Sequence, residues 1–286
     1  MSGDFELLVN RQALCGASPL WMSALNCVYW VDVLRRELHT YSRQTGADDV
    51  RVLPEVISSL GATRQGQLIA AAASGFVRVH QSRAALEAVV RIRGGGDRMS
   101  LGGCDPSGRF VAGTVTLSRT PRGGLYVLDG DRARLLVDGT TTGGGVAWSP
   151  DGDRMYLADM SSIWVYDYDA ERGRAVDGRQ WVSCTESEGV PAGLAVDAGG
   201  SVWTAMHGTG RIHRYAPDGD LETVLWAPTR RITDLAFGGT RLEELYVTSA
   251  CVGDDEPAFR RDPYAGALLR FRPGTTGAKS VPWQGV

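Results

Sequence analysis

The feature that most constrains this chain is a unit that returns at a nearly fixed interval. VAWSPDGDRMYLAD (146–159) has counterparts in GGCDPSGRFVAGTV (102–115), GLAVDAGGSVWTAM (193–206) and DLAFGGTRLEELYVTS (234–249). SPLWMSALNCVYWVD (18–32) and SLGATRQGQLIAAA (59–72) are weaker copies. Each unit is a short apolar stretch, a polar turn and a second run with alternating large apolar residues. Turns such as Pro150-Asp151-Gly152 and Pro106-Ser107-Gly108 suit hairpins, where glycine takes positive φ. The flanking Val, Leu, Tyr and Trp suit half-buried strands.

Aligned, the units bring Ala17, Ser58, Leu101, Gly144, Ala192 and Thr233 into register, at intervals of 41, 43, 43, 48 and 41 residues. That spacing matches a four-stranded propeller blade, roughly 40–50 residues. The expected fold is all-β, a six-bladed β-propeller forming one domain over residues 1–286. A strand near Phe5–Val9 is expected to join the last blade, closing the circle and removing an exposed edge. Innermost strands line a propeller's channel, so the six aligned positions should ring one mouth, where a small molecule meets six walls.

Composition narrows the partners. The net charge is −3, the arginines are scattered and Lys279 is the sole lysine, so there is no basic face for nucleic acid or an anionic membrane. No apolar run is long enough to span a bilayer, and MSGDFELLVNRQ has no signal-like apolar region. Five cysteines (Cys15, Cys27, Cys104, Cys184, Cys251) without CxxC spacing point to reduced thiols and a cytoplasmic location. The oligomeric state stays open.

The segments CGASPLW (15–21), DRMSLGGCDPSGRFVAGT (97–114), GGVAWSPDGDRMYLAD (144–159), GVPAGLAVDAGGSVWTA (189–205), ITDLAFGGTRLEELYVTSA (232–250) and DPYAGALLRFRPG (262–274) carry a resemblance. The chain resembles the family of regucalcin (senescence marker protein), gluconolactonases and luciferin-regenerating enzyme. The resemblance implies a six-bladed propeller that hydrolyses sugar lactones or related esters. It also implies a divalent cation, often calcium or zinc, held at the mouth by a Glu, an Asn and an Asp. At those positions this chain has Ala17, Gly144 and Ala192. In the substrate motif Arg98 is kept, while Ser100 and Leu101 stand where the family has Asn-Asp. A hard cation takes most of its binding energy from carboxylate oxygens, so the expectation is no metal, no other cofactor, and a smaller, more apolar ring for a less sugar-like ligand.

Among the remaining polar residues, Arg98 is a candidate clamp for a carboxylate or oxyanion; otherwise it is a solvated arginine beside Asp97. Asp234 and His207 are candidate acid/base groups; otherwise they are turn residues. Ser18, Ser58, Ser100 and Thr233 are candidate substrate contacts. Ser59 is grouped with the serines, but there is no G-x-S-x-G elbow to make a nucleophile. Ala17, Leu101, Gly144 and Ala192 are expected to line the pocket. Asp32 and Asp159 recur at one blade offset and read as structural; Trp21, Trp148 and Trp203 read as core. Asp254, Asp255, Glu256, Arg260 and Arg261 form a charged loop that could overhang the mouth.

Three functions fit. The first is a metal-independent enzyme on a small organic substrate, an isomerase, cyclase or hydrolase in a biosynthetic pathway. The second is a non-catalytic binding protein. The third is a lactonase with a rearranged metal site, for instance through the Asp254–Glu256 loop. Fold alone does not choose between them.

Overall fold

The computed structural model describes residues 4–92, 97–118, 120–252 and 261–285. Gly94–Gly96, Asp254, Asp255, Glu256 and Arg260 lie outside them. The described residues form six four-stranded antiparallel sheets. Blade 1 contains β2 (Gly16–Met22), β3 (Cys27–Asp32), β4 (Glu37–Ser42) and β5 (Asp48–Val52). Blade 2 contains β6 (Ile57–Ala62), β7 (Leu68–Ala72), β8 (Gly75–His80) and β9 (Ala85–Arg91). Blade 3 contains β10 (Arg98–Cys104), β11 (Phe110–Val115), β12 (Gly123–Asp129) and β13 (Arg132–Thr140). Blade 4 contains β14 (Val146–Trp148), β15 (Arg154–Asp159), β16 (Ser162–Asp169) and β17 (Arg174–Ser183). Blade 5 contains β18 (Val190–Val196), β19 (Val202–His207), β20 (Arg211–Tyr215) and β21 (Leu221–Trp226).

The sixth blade joins the two ends of the chain. It runs β22 (Ile232–Gly238), β23 (Glu244–Ser249), β24 (Ala267–Phe271), with β1 (Glu6–Asn10) added outermost. The strand expected near Phe5–Val9 is therefore present, paired from Glu6↔Arg270 to Asn10↔Ala267. Each inner strand lies against the next, and β22 against β2 closes the six-bladed propeller.

The turns behave as their residues dictate. Gly108 and Gly152 both adopt φ +79°, and their N–H groups close the turns onto Asp105 O and Ser149 O at 2.8 and 2.9 Å. The core lies between blades. Trp21 of blade 1 stacks on Tyr246 of blade 6, and Trp203 of blade 5 meets Phe237 of blade 6 at 90°, while Trp148 meets Tyr168 edge-on within blade 4. Large side chains such as Ile57, Ile69, Phe76, Phe110 and Leu125 are fully buried there, each contributing about 1.5–3 kcal/mol over exposure. No helix among the described residues is long and apolar enough to cross a membrane.

Candidate functional site

A register break near its mouth end positions the site on almost every inner strand. The ladder is interrupted between Ala17 and Leu20, Ile57 and Ser59, Met99 and Gly102, Pro191 and Leu194, and Ile232 and Asp234. In blade 4 the strand is delayed instead: β14 begins at Val146, two residues past Gly144. Bulges bend a strand and re-aim its side chains. Of the aligned positions expected to ring the mouth, Ser58, Leu101, Ala192 and Thr233 fall inside these interruptions, and Ala17, paired with Val31, stands at the edge of one.

The ring is sewn together at every seam. Leu60 N donates to Ser18 Oγ (2.9 Å), Ser58 Oγ to Met99 O (2.8 Å) and Ser100 Oγ to Thr142 O (3.3 Å). Gly145 N donates to Ala192 O (2.8 Å), and His207 Nδ1 lies 3.2 Å from Ile232 O. Thr233 Oγ1 donates to Gly16 O (2.5 Å), closing blade 6 onto blade 1. The hydroxyls of Ser58, Ser100 and Thr233 thus spend their protons on backbone carbonyls, and Ser18 Oγ accepts one. Ser59 is fully buried, behind the ring.

Burial divides the four residues expected to line the pocket. Ala17 and Gly144 are buried, whereas Leu101 and Ala192 remain half-buried. At Gly144 the cause is backbone crowding, since a Cβ would lie 2.6 Å from Ala158 O.

Arg98 Nη1 donates to Ser58 Oγ and Met99 O, both at 3.1 Å. Its charge reaches Cys15 on the chain leading into blade 1, where it opposes the rise that burial imposes on the thiol pKa. Asp234 approaches the same stretch from the other side. Its Oδ2 accepts Ser18 N–H (3.0 Å) and its Oδ1 accepts Leu235 N–H (2.8 Å). Desolvation outweighs both bonds and pushes the carboxyl up to about 7. Blade 5 makes room for it at Gly193, where a Cβ would fall 1.9 Å from Asp234 Oδ1.

His207 ends β19 and pairs with Val190. A carbonyl can only accept, so Nδ1 carries the proton toward Ile232 O and Nε2 is left as a base. Burial lowers its pKa, with the bond to Ile232 O opposing and the Arg231 charge assisting, so the ring is neutral at pH 7. Asp32 and Asp159 hold the chain feeding the ring. Asp32 accepts the N–H groups of Leu14 and Cys15, and Asp159 those of Thr141 and Thr142. Arg261 is exposed. A separate groove, lined by Asp4, Glu6, Arg270, Phe271 and Arg272, lies on the outer edge of blade 6 and shares no residue with the ring.

The donor set does not fit the divalent cation implied by the resemblance. Ala17, Gly144 and Ala192 have no side-chain oxygen. Among the described residues no three His, Cys, Asp or Glu side chains converge to hold a metal ion.

Sequence reasoning missed Cys15 as a neighbour of Arg98 and Gly193 as the gap that admits Asp234. Gly193 was legible only as the residue beside an aligned position.

Fold and ring together define a six-bladed propeller with its candidate site at one mouth of the channel. The chain belongs to the SMP-30/gluconolactonase/LRE-like family, whose model matches residues 15–251. It is 33% identical over 278 residues to the pentonolactonase XacC of Haloferax volcanii, covering 94% of each chain. It is 30% identical over 283 residues to the 6-deoxy-6-sulfogluconolactonase of Pseudomonas putida, covering 97% of each. In structure it is similar to a calcium-binding regucalcin of Agrobacterium tumefaciens, with a TM-score of 0.91, 24% identity and coverage of 99% of this chain and 97% of that one.

Proposed function

We propose that this protein hydrolyses a lactone, and does so without a divalent cation. The observation that carries the reading is the placement of Asp234 on the ring at the seam of blades 6 and 1, with Arg98 on the facing blade. Arg98 holds the ester carbonyl oxygen and stabilises the charge that develops there. Asp234, poised between its two protonation states near neutrality, takes a proton from water as the water oxygen bonds to the carbonyl carbon. The ring C–O bond then breaks, and the same proton passes from Asp234 to the leaving alkoxide. Nothing else is consumed. The lactonase names of the relatives support the reaction class, and the missing ligands support the absence of a cation. The same two groups would also serve an isomerisation or cyclisation.

A second reading, a non-catalytic binding propeller, draws on the two hydrogen bonds that already engage Arg98. The test is ester-opening activity on a lactone panel with excess EDTA, together with calcium and zinc calorimetry. Turnover that survives EDTA and falls on the order of a hundredfold in Arg98→Ala and Asp234→Asn supports the proposal. A saturable micromolar metal site whose removal abolishes turnover sinks it. Ligand binding without turnover leaves the binding protein.

A further inference from the structure

The ring stands at the end of the channel where the inner strands begin. They finish at the other end, at Met22, Ala62, Cys104, Trp148, Val196 and Gly238. The segment after β24 is laid over that far end. Thr276 O accepts Ala198 N–H (2.8 Å), Gly277 N donates to Leu242 O (2.8 Å) and Ala278 N to Val196 O (2.9 Å), fastening the segment to blades 5 and 6. Further on, Trp283 N donates to Ala62 O (2.8 Å) and Gln284 N to Gly108 O (3.0 Å), on blades 2 and 3. Blades 2 and 5 are opposite each other in a circle of six. The chain between Ala278 and Trp283 reaches about 18 Å at most, whereas a path round the rim passes three blade spacings, on the order of 25 Å. The segment therefore crosses the channel axis.

Both anchors are close-fitting. A Cβ on Gly277 would lie 2.3 Å from Phe237 Cβ, and one on Gly108 would lie 2.5 Å from Gln284 Cγ and 2.7 Å from Pro282 O. Trp283 is 4% exposed and packs with Ile69, Phe76 and Phe110 of blades 2 and 3. Between the anchors Lys279 and Ser280 are exposed, while Val281 and Pro282 are half-buried. Cys104, the last residue of β10, packs on the cluster that holds Trp283, and burial pushes its thiol up to about 12.

We propose that residues 276–284 are a strap that shuts the channel at the end opposite the ring, with Trp283 as its latch, so that the ring is reached from its own mouth alone. A ligand then enters and leaves by one opening. The inference holds whether the ring turns a substrate over or only binds one.

Maleimide labelling with peptide mass spectrometry reads the two ends separately, since Cys15 lies within reach of the Arg98 charge and Cys104 ends β10 at the strapped side. In the native protein Cys104 should label only through global unfolding, with the same urea dependence as the loss of circular dichroism. In a chain ending at Pro273, and in Trp283→Ala, Cys104 should label at least about tenfold faster below the unfolding transition, while Cys15 stays within about twofold of its native rate. Trp283→Leu keeps an apolar side chain and both backbone bonds, so it stays folded where the harsher variants do not, and it should give an intermediate Cys104 rate. Labelling of Cys104 in the folded native protein without urea overturns the proposal, whatever the variants do. An unchanged Cys104 rate in a folded variant overturns it too, because the segment would then cover nothing. So does an equal rise at Cys15 and Cys104, which would make the segment a support for the whole fold rather than a closure of one end.

Discussion

The carboxylate of Asp234 accepts the backbone N–H of Ser18 at 3.0 Å, across the seam where the last blade meets the first. Ser18 sits at φ +53°, a conformation that costs an L-residue about 1 kcal/mol or more. Its N–H and its Oγ are both engaged, the latter by Leu60 N. The catalytic candidate is thus also a brace for the strained residue beside Ala17.

That double role gives Asp234→Asn a pH signature. The native carboxyl titrates near 7 and an unfolded aspartate near about 3.9, so the native state holds the extra proton between those values. Stability is greatest at the acidic end of the window, falls as pH rises from about 4 to about 7, and is level above it. The neutral amide removes this slope, which amounts to roughly 2–4 kcal/mol across the window. Urea unfolding at pH 4.5, 6 and 8 measures it. Parallel curves for the two proteins would show that Asp234 does not titrate there.

Gly193→Ala tests the same carboxylate from the opposite blade. The added methyl meets Asp234 Oδ1 at 1.9 Å and Asp234 Cα at 2.5 Å, so backbone must move. We expect a loss of about 1–3 kcal/mol, as for overpacked cores, with turnover reduced as strongly as in Asp234→Asn. Near-native activity in a folded Gly193→Ala protein would remove Asp234 from the reaction.

His207 can be divided by its two nitrogens. Asn places an amide N–H near the position of Nδ1 and keeps the bond to Ile232 O; Gln reaches toward Nε2. If Nε2 orients water or substrate, His207→Asn folds normally and loses kcat, whereas His207→Gln retains part of the rate. If the ring only holds blade 5 to blade 6, Asn retains the wild-type rate and melting temperature. Single-turnover rates and thermal melts on the two variants separate these outcomes.

The blade count and the closing strand were legible because they follow from period and turn chemistry. Gly152 and Gly108 mark the same turn in two blades, and each adopts the positive φ that its position demands. The state of each ring residue was not legible. Ser58 and Ser100 look like ligand donors in one dimension, and only the bulges show that their hydroxyls face the next blade's backbone. His207 occupies the blade offset of Asp32 and Asp159, a comparison available in the repeat. Its reach across to Ile232 needed the fold. Asp234 was visible as a carboxylate beside an aligned position, but its raised pKa depends on the burial that Gly193 permits.

The closing seam makes a prediction that does not depend on the reaction. Glu244 is fully buried on β23. Its Oε1 accepts Arg43 Nη2 (2.8 Å), Arg270 Nη1 (3.1 Å) and Arg272 Nη2 (3.3 Å), and its Oε2 accepts Tyr246 OH (2.7 Å). Arg43 belongs to blade 1, and Arg270 pairs in turn with Glu6 of the closing strand β1. One carboxylate therefore joins the first blade, the last blade and the N-terminal strand. Desolvation alone would raise its pKa; the bonds from Arg43 and Tyr246 and the charges of Arg270 and Arg43 prevail and hold it at about 2. Its contribution is complete above the unfolded value near about 4.3 and is lost as pH falls from there through about 2. Glu244→Gln should cost about 2–4 kcal/mol at pH 7, because the arginines are left around a neutral group. The gap from wild type should narrow at pH 2.5. Asp49→Asn, which breaks only the exposed 3.1 Å pair with Arg51, should stay within about 0.5 kcal/mol. Equal losses in the two variants would mean that the seam is not held at Glu244.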